Sequence, residues 1–178
     1  MALQIVLLRG VNLGARNRVS MPELRKLLTD AGFGEVQTYV QSGNVVLSSA
    51  LTAEKLAAEC KSLLAGKLGL EVEVIVRTRS QLAAVVKRNP LGDVATEPKR
   101  YQVTFLAEKL EPAVVESLAA LATKSERFAA HGRELYAWHP EGVARSKLWG
   151  RLAARNLGVT ATSRNWTTVT ALLEMADG

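Results

Sequence analysis

Val36-Gln37-Thr38-Tyr39-Val40, then Gln41-Ser42-Gly43-Asn44, then Val45-Val46-Leu47-Ser48-Ser49: two β-rich runs flank a tight Ser42-Gly43 turn, the pattern of a hairpin. Upstream, Leu3 to Leu8 is a continuous apolar run, as in a strand at a sheet centre. A glycine-containing loop, Gly10 to Val19, leads to an S-x-x-E capping box at Ser20 and Glu23, with Pro22 in the first turn. Leu24, Leu27 and Leu28 give that helix its stripe, and Gly32 ends it. Downstream, Thr52 caps a second helix striped by Leu56, Cys60, Leu63 and Leu64. Val72 to Val76 is a fourth strand, and Ser80 caps a helix that stops at Asn89-Pro90. The order is β-α-β-β-α-β plus one helix.

Residues 91–99 read as a linker, after which the order starts again. Tyr101 to Leu106 is a strand, and Pro112 opens a helix with Val115, Leu118 and Leu121 on one side. Arg127 to Ala130 and Glu134 to Trp138 flank a His131-Gly132 turn. Ser146 caps a helix expected to run to Leu157, Val159 to Ser163 is a short strand, and Trp166, Val169, Leu172 and Leu173 mark a last helix. Val74-Ile75-Val76-Arg77-Thr78-Arg79 matches Val159-Thr160-Ala161-Thr162-Ser163-Arg164 at an offset of 85. The expected fold class is therefore α+β: two tandem ferredoxin-like units, 1–90 and 100–178, with mostly antiparallel sheets and helices on one face. Such sheets keep edges and an open face, so the lobes pack together or one sheet stays free for a partner.

Composition narrows the functional classes. Of 178 residues 48% are hydrophobic, too many for a disordered chain, yet no run suffices to cross a membrane. The run Ala2 to Leu8 precedes the first positive charge, Arg9, the reverse of a secretory signal, so a cytoplasmic location is expected. One cysteine excludes an intramolecular disulfide, and two histidines leave little for a metal site; no metal and no cofactor are expected. The net charge of +6 conceals three acid-free stretches holding Arg9, Arg16 and Arg18; Arg77, Arg79, Lys87 and Arg88; and Arg145, Lys147, Arg151, Arg155 and Arg164. Gathered on one face they attract anions; scattered, they only solvate the surface. Lys147, Arg151 and Arg155 share one face if their helix reaches Leu157.

No nucleophile elbow, zinc-protease motif or phosphate loop occurs. Arg9-Gly10-Val11-Asn12-Leu13-Gly14 lacks a third glycine for a dinucleotide fingerprint, though such a loop turns backbone N–H groups toward an anion as readily as it permits positive φ. Cys60 reads as core, Ser42 as a turn residue, and His131 and His139 have no motif partner. Base stacking on a sheet needs aromatics on central strands; Tyr136 and Trp138 supply them in the second half, and Tyr39 alone stands in the first. At Ser163-Arg164-Asn165-Trp166, Ser163 or Asn165 is the N-cap of the last helix, with Trp166 as its core anchor.

Six motifs resemble those of a bacterial family called domain of unknown function 1697. Three are N-terminal: Arg9 to Gly14, Met21-Pro22-x-Leu24-Arg25, and Tyr39-Val40-Gln41-Ser42-Gly43-Asn44-Val45. Three are C-terminal: Arg133-Glu134-Leu135-Tyr136, Arg145-Ser146-Lys147-Leu148, and Arg164-Asn165-Trp166-x-Thr168-Val169. Thr167 stands where the family usually has asparagine, and Ala171 where it often has lysine. The resemblance implies a compact two-lobed α+β fold and no established activity, substrate or cofactor. Its motifs fall on loops and element ends, where scaffold-held function concentrates. The expectation is a binding protein for an anionic partner, a phosphate-bearing small molecule or nucleic acid. Arg9, Asn12, Gly14, Gln41, Ser42, Asn44, Arg145, Lys147, Arg164, Asn165 and Trp166 are its candidate site. An enzyme acting on a phosphorylated metabolite, and a scaffold or homo-oligomer using an open sheet, are the alternatives.

Overall fold

The computed structural model describes residues 2–12 and 17–178. The first seven elements are β1 (Ala2–Arg9), α1 (Met21–Asp30), β2 (Gly34–Tyr39), β3 (Asn44–Ser49), α2 (Ala53–Leu68), β4 (Glu73–Thr78) and α3 (Arg79–Arg88). Their sheet order is β2-β3-β1-β4, antiparallel throughout, as a split β-α-β unit requires. The caps explain the helix starts. Ser20 Oγ accepts the N–H of Glu23 at 3.1 Å, and Thr52 Oγ1 that of Lys55 at 3.3 Å. Thr78 and Gln81 form a reciprocal box before α3, each side chain accepting the other's backbone N–H, which corrects Ser80 as the cap. Alternation sends Val6, Leu8, Val45, Leu47, Val74 and Val76 toward the helices, where they meet Leu24, Leu28, Leu56 and Leu64. Cys60 lies in that core, and burial pushes its thiol up to about 12, far from a reactive thiolate.

The second seven elements are β5 (Tyr101–Leu106), α4 (Pro112–Ala119), β6 (Arg127–His131), β7 (Glu134–Trp138), α5 (Lys147–Ala153), β8 (Ala161–Asn165) and α6 (Trp166–Asp177). Their sheet, β6-β7-β5-β8, has the same order and the same antiparallel sense. Leu106, Leu135, Ala137 and Ala161 pack with Leu118, Leu148 and Leu152 of the helices. The fold class is α+β with two tandem ferredoxin-like sheets. By packing, one compact unit comprises Met1–Ala84 with Ala171–Gly178, and the other Val85–Thr170. Within the first, Arg79 at the start of α3 meets Asp177 at the end of α6 at 2.5 Å.

The repeat is visible in the registers. Ile5 lies between Val46 and Arg77; Val103 lies between Tyr136 and Arg164. The amide of Leu8 donates to Gly43 O at 2.9 Å, and that of Leu106 to Arg133 O at 2.9 Å. Arg77 and Arg164 are thus equivalent, each one residue ahead of the N-cap of the following helix, Thr78 or Asn165. The equivalent arginines stand 87 positions apart, which corrects the offset of 85. The strand begins at Ala161 rather than Val159, because Val159 packs from the preceding loop onto the helix-side core.

Two further expectations fail. First, α5 ends at Ala153 rather than Leu157. Arg151 donates to the backbone and side-chain oxygens of Asn156 at 3.0 and 3.1 Å, Ala154 turns extended, and Leu157 is buried, so Arg155 leaves the helix and no three-residue basic stripe forms. Second, of the two arrangements expected of the sheets, the one with a sheet face free for a partner is not met, because the central strands leave no open face. β3 and β7 are buried along their whole lengths, and Ile5, Leu7, Val103 and Phe105 are buried opposite the helix-side cores. Only the outer strands β2 and β6 keep exposed residues along an edge.

Gly43 has φ +75°, and a Cβ there would lie 2.8 Å from both Leu8 Cβ and Val11 Cγ2. Gly132, with φ +56°, has nothing within 4 Å of an added Cβ. Urea denaturation of Gly43→Ala is expected to show a loss of about 2–4 kcal/mol, against about 1 kcal/mol for Gly132→Ala. Equal losses would mean that the close approach at Gly43 is not needed.

Candidate functional site

At the end of the first sheet where β1 stops, two motif loops meet. Asn12 (φ +56°) uses its whole amide: Nδ2 donates to Val19 O at 3.0 Å and Gln41 O at 2.9 Å, and Oδ1 accepts the Val19 N–H at 2.9 Å. Asn44, fully buried, donates to Tyr39 O at 3.1 Å and Ser42 Oγ at 3.0 Å. Asn12 therefore ties the β1–α1 loop to the hairpin turn, and Asn44 closes the turn itself. Arg9 ends β1 opposite Glu73. Beside this junction lies a cleft of about 470 Å³ lined by Asn12, Arg18, Val19, Ser20, Glu23 and Gln41. Arg18, exposed at the cleft, belongs to the first basic stretch but not to the expected site. Gly14 lies outside the described residues.

In the second unit the motif residues sit at the opposite end of the sheet, where β7 and β8 finish against the start of β5. Arg145 and Lys147 are exposed around Ser146, which caps α5 by accepting the Trp149 N–H at 3.0 Å. Asn165 caps α6 through Thr168 N–H at 3.0 Å, which decides between Ser163 and Asn165. Trp166 stacks on Tyr101 at 4.7 Å and 20°. Arg164 donates to Thr162 Oγ1 at 2.6 Å and Ser163 O at 2.9 Å, and burial pushes its guanidinium down to about 10.

One cluster was not foreseen. His139, fully buried, holds Glu126 Oε2 at 2.6 Å through Nδ1, and Ser146 Oγ donates to the same oxygen at 2.6 Å. Thr123 N–H donates to Oε1 at 3.1 Å. Burial pushes the Glu126 carboxyl up, but the hydrogen bonds from Ser146, His139 and Thr123 outweigh it and hold the group below the usual carboxylate range. Such a carboxylate is a weak base, and Ser146 faces the engaged Nδ1 at 3.4 Å rather than Nε2. The trio resembles a hydrolase triad in composition only; it staples the loop before α5 to that before β6. Thr123-x-x-Glu126 and the partnerless His139 were its traces in the sequence. A cleft of about 380 Å³ beside it is lined by Thr123, Ser125, Glu126, Glu141, Arg145 and Ser146, among others.

The basic stretches are partly spent on contacts within the protein. Arg77 is 1% exposed, Arg79 pairs with Asp177, and Arg151 and Arg164 bind their own loop and strand. The aromatic platform is unavailable too. Tyr136 and Trp138 are buried, with Tyr136 Oη donating to Val85 O at 3.1 Å, so bases cannot stack there. Among the described residues no three His, Cys, Asp or Glu side chains could hold a metal ion together, and no helix is long and apolar enough to cross a membrane.

A family described as "Protein of unknown function (DUF1697)" matches residues 1–136. The chain belongs to that family. The DUF1697 match includes the junction of Asn12 with Gln41, whereas Arg145–Lys147 and Arg164–Trp166 lie beyond it. The chain is also similar to the conserved bacterial protein SP0830 from Streptococcus pneumoniae, at 22% identity over 98% of each chain with a TM-score of 0.80, a likeness of fold. No curated protein matches the chain.

A carboxyl held low in the folded state contributes stability that is present above its unfolded value, near pH 4.5, and is lost as pH falls through the lower folded value. Thermal denaturation between pH 3 and pH 7 is expected to show this acid limb in the wild type and a shallower one in Glu126→Gln. At pH 7 the variant should lose about 2–3 kcal/mol, since its amide cannot accept all three donors. Parallel pH profiles would remove Glu126 from the staple.

Proposed function

We propose that this protein binds a small phosphate-bearing molecule in the cleft beside Asn12 and Gln41. The supporting observation is the double tether of Asn12 to Val19 and Gln41, which holds those three residues together beside that cleft. At about 470 Å³ the cleft falls within the ~300–1,000 Å³ usual for small-molecule sites. Arg18, exposed, gives it a positive charge. Glu23 shares the cleft, so the ligand needs hydrogen-bond donors beside its phosphate, as nucleotides and sugar phosphates have. Burial of Tyr136 and Trp138 favours a small molecule over nucleic acid, because base stacking is what this topology would otherwise offer single strands.

The test is a thermal-shift and calorimetric screen of inorganic phosphate, nucleotides and sugar phosphates. A ligand at ~100 times its dissociation constant adds ~2.7 kcal/mol of stability. Arg18→Ala should weaken that ligand about tenfold, the loss of one charge-assisted hydrogen bond. No shift with any compound, together with tight binding of single-stranded DNA or RNA at low salt, would reverse the preference for a small molecule.

A further inference from the structure

The charge in the cleft beside Asn12 and Gln41 comes in both signs. Arg18 and Glu23 line it together, both exposed, and Glu23 makes no ion pair with Arg18 or any other described residue. The other charged side chains of α1 are engaged. Lys26 meets Asp30 at 2.7 Å, and Arg25 donates to Thr38 Oγ1 at 2.5 Å. Its place in the sequence gives Glu23 a different task. In an S-x-x-E capping box the glutamate reaches back to the N-cap amide, as Gln81 does for Thr78 at the start of α3. At α1 only half of the box forms. Ser20 Oγ accepts the Glu23 N–H, but the carboxylate takes no hydrogen bond from Ser20 or any other described residue. The helix dipole accounts for an acid in the first turn, not for one left beside an arginine in a cleft.

Gln41 repeats the pattern. Asn12 holds its backbone oxygen at 2.9 Å, while its exposed side-chain amide bonds no described residue. The cleft thus presents a positive charge at Arg18, a neutral donor and acceptor at Gln41, and a negative charge at Glu23.

A phosphate ester drawn in by Arg18 meets a like charge at Glu23. A hydroxyl donates to that carboxylate without offsetting the repulsion; an ammonium group does both. Resting on the phosphate-binding reading above, we infer that Glu23 recognises an ammonium group and that the ligand is an amino-sugar phosphate. Its phosphate lies toward Arg18, its hydroxyls toward Gln41 and its amine toward Glu23.

Glucosamine 6-phosphate and glucose 6-phosphate differ only by an amine or a hydroxyl at one carbon. They serve as paired probes for calorimetry at neutral pH, with inorganic phosphate as the third. The wild type is expected to bind the amino sugar about fivefold tighter than glucose 6-phosphate, the scale of an exposed ion pair. Glu23→Gln should lose that preference and bind inorganic phosphate at least as well as the wild type. It should also melt within about 3 °C of the wild type, because no hydrogen bond of the fold is removed. Arg18→Ala should weaken both sugar phosphates alike and keep their ratio. A Glu23→Gln variant that keeps the preference overturns the role of Glu23; a larger loss of stability gives its carboxylate a structural task and overturns that role as well. Wild type that binds glucose 6-phosphate or inorganic phosphate without preferring the amine overturns this inference alone. If it binds none of the three, the phosphate-binding reading fails and takes the inference with it.

Discussion

The hydrogen bond from the Leu8 amide to Gly43 O is where sequence, fold and candidate site meet. The β1–β3 ladder ends at Leu7 opposite Asn44, so the next amide on that side needs a partner while Leu8 itself is buried. A buried N–H without one is costly, and the turn carbonyl satisfies it only if the turn lies against the strand. That approach leaves no room for a Cβ at position 43. It also brings Gln41 within reach of Asn12, whose amide holds Val19 as well. The second unit repeats the bond from Leu106 to Arg133, so the constraint belongs to the topology, and in the first unit Asn12 and Asn44 build polar clamps on it.

Because the central strands are buried on both faces, chemistry is confined to loops and edges. This redirects the meaning of the charge. An arginine in an acid-free stretch looks available to an anion, yet Arg77 occupies the sheet interior and Arg164 is bonded to its own strand. Their equivalence explains why: the same place in each repeat takes an arginine, and each guanidinium donates to the carbonyl of the preceding residue. Part of the basic excess is therefore architecture rather than recognition.

Helix caps, apolar stripes and the hairpin were legible in the sequence because each depends on residues within a few positions of one another. Ser20, Thr52 and Ser146 cap as their spacing indicates. The box at Thr78 and Gln81 was equally local and lay hidden only because Ser80 offered a competing cap. The length of α5 was not legible, since the burial of Leu157 is a tertiary fact and the local bond from Arg151 to Asn156 has no spacing signature. The staple of Glu126, His139 and Ser146 joins two loops, and the pairing of His139 with a carboxylate 13 residues away leaves no periodic trace. Nor could spacing tell an open sheet from a covered one, because Tyr136 and Trp138 suit either environment.

The two units also show how one scaffold can carry polar clusters at different ends. In the first, residues 10–20 join β1 to α1, whereas the corresponding link in the second covers only 107–111. The reverse holds across the sheet: residues 50–52 join β3 to α2, and residues 139–146 join β7 to α5. A three-residue link has room for a cap and nothing more, as Thr52 shows. Eight residues bring His139 and Ser146 together on Glu126. Loop length, the feature that repeats alter at least cost to the core, thus decides which end of each sheet acquires a clamp and a cleft.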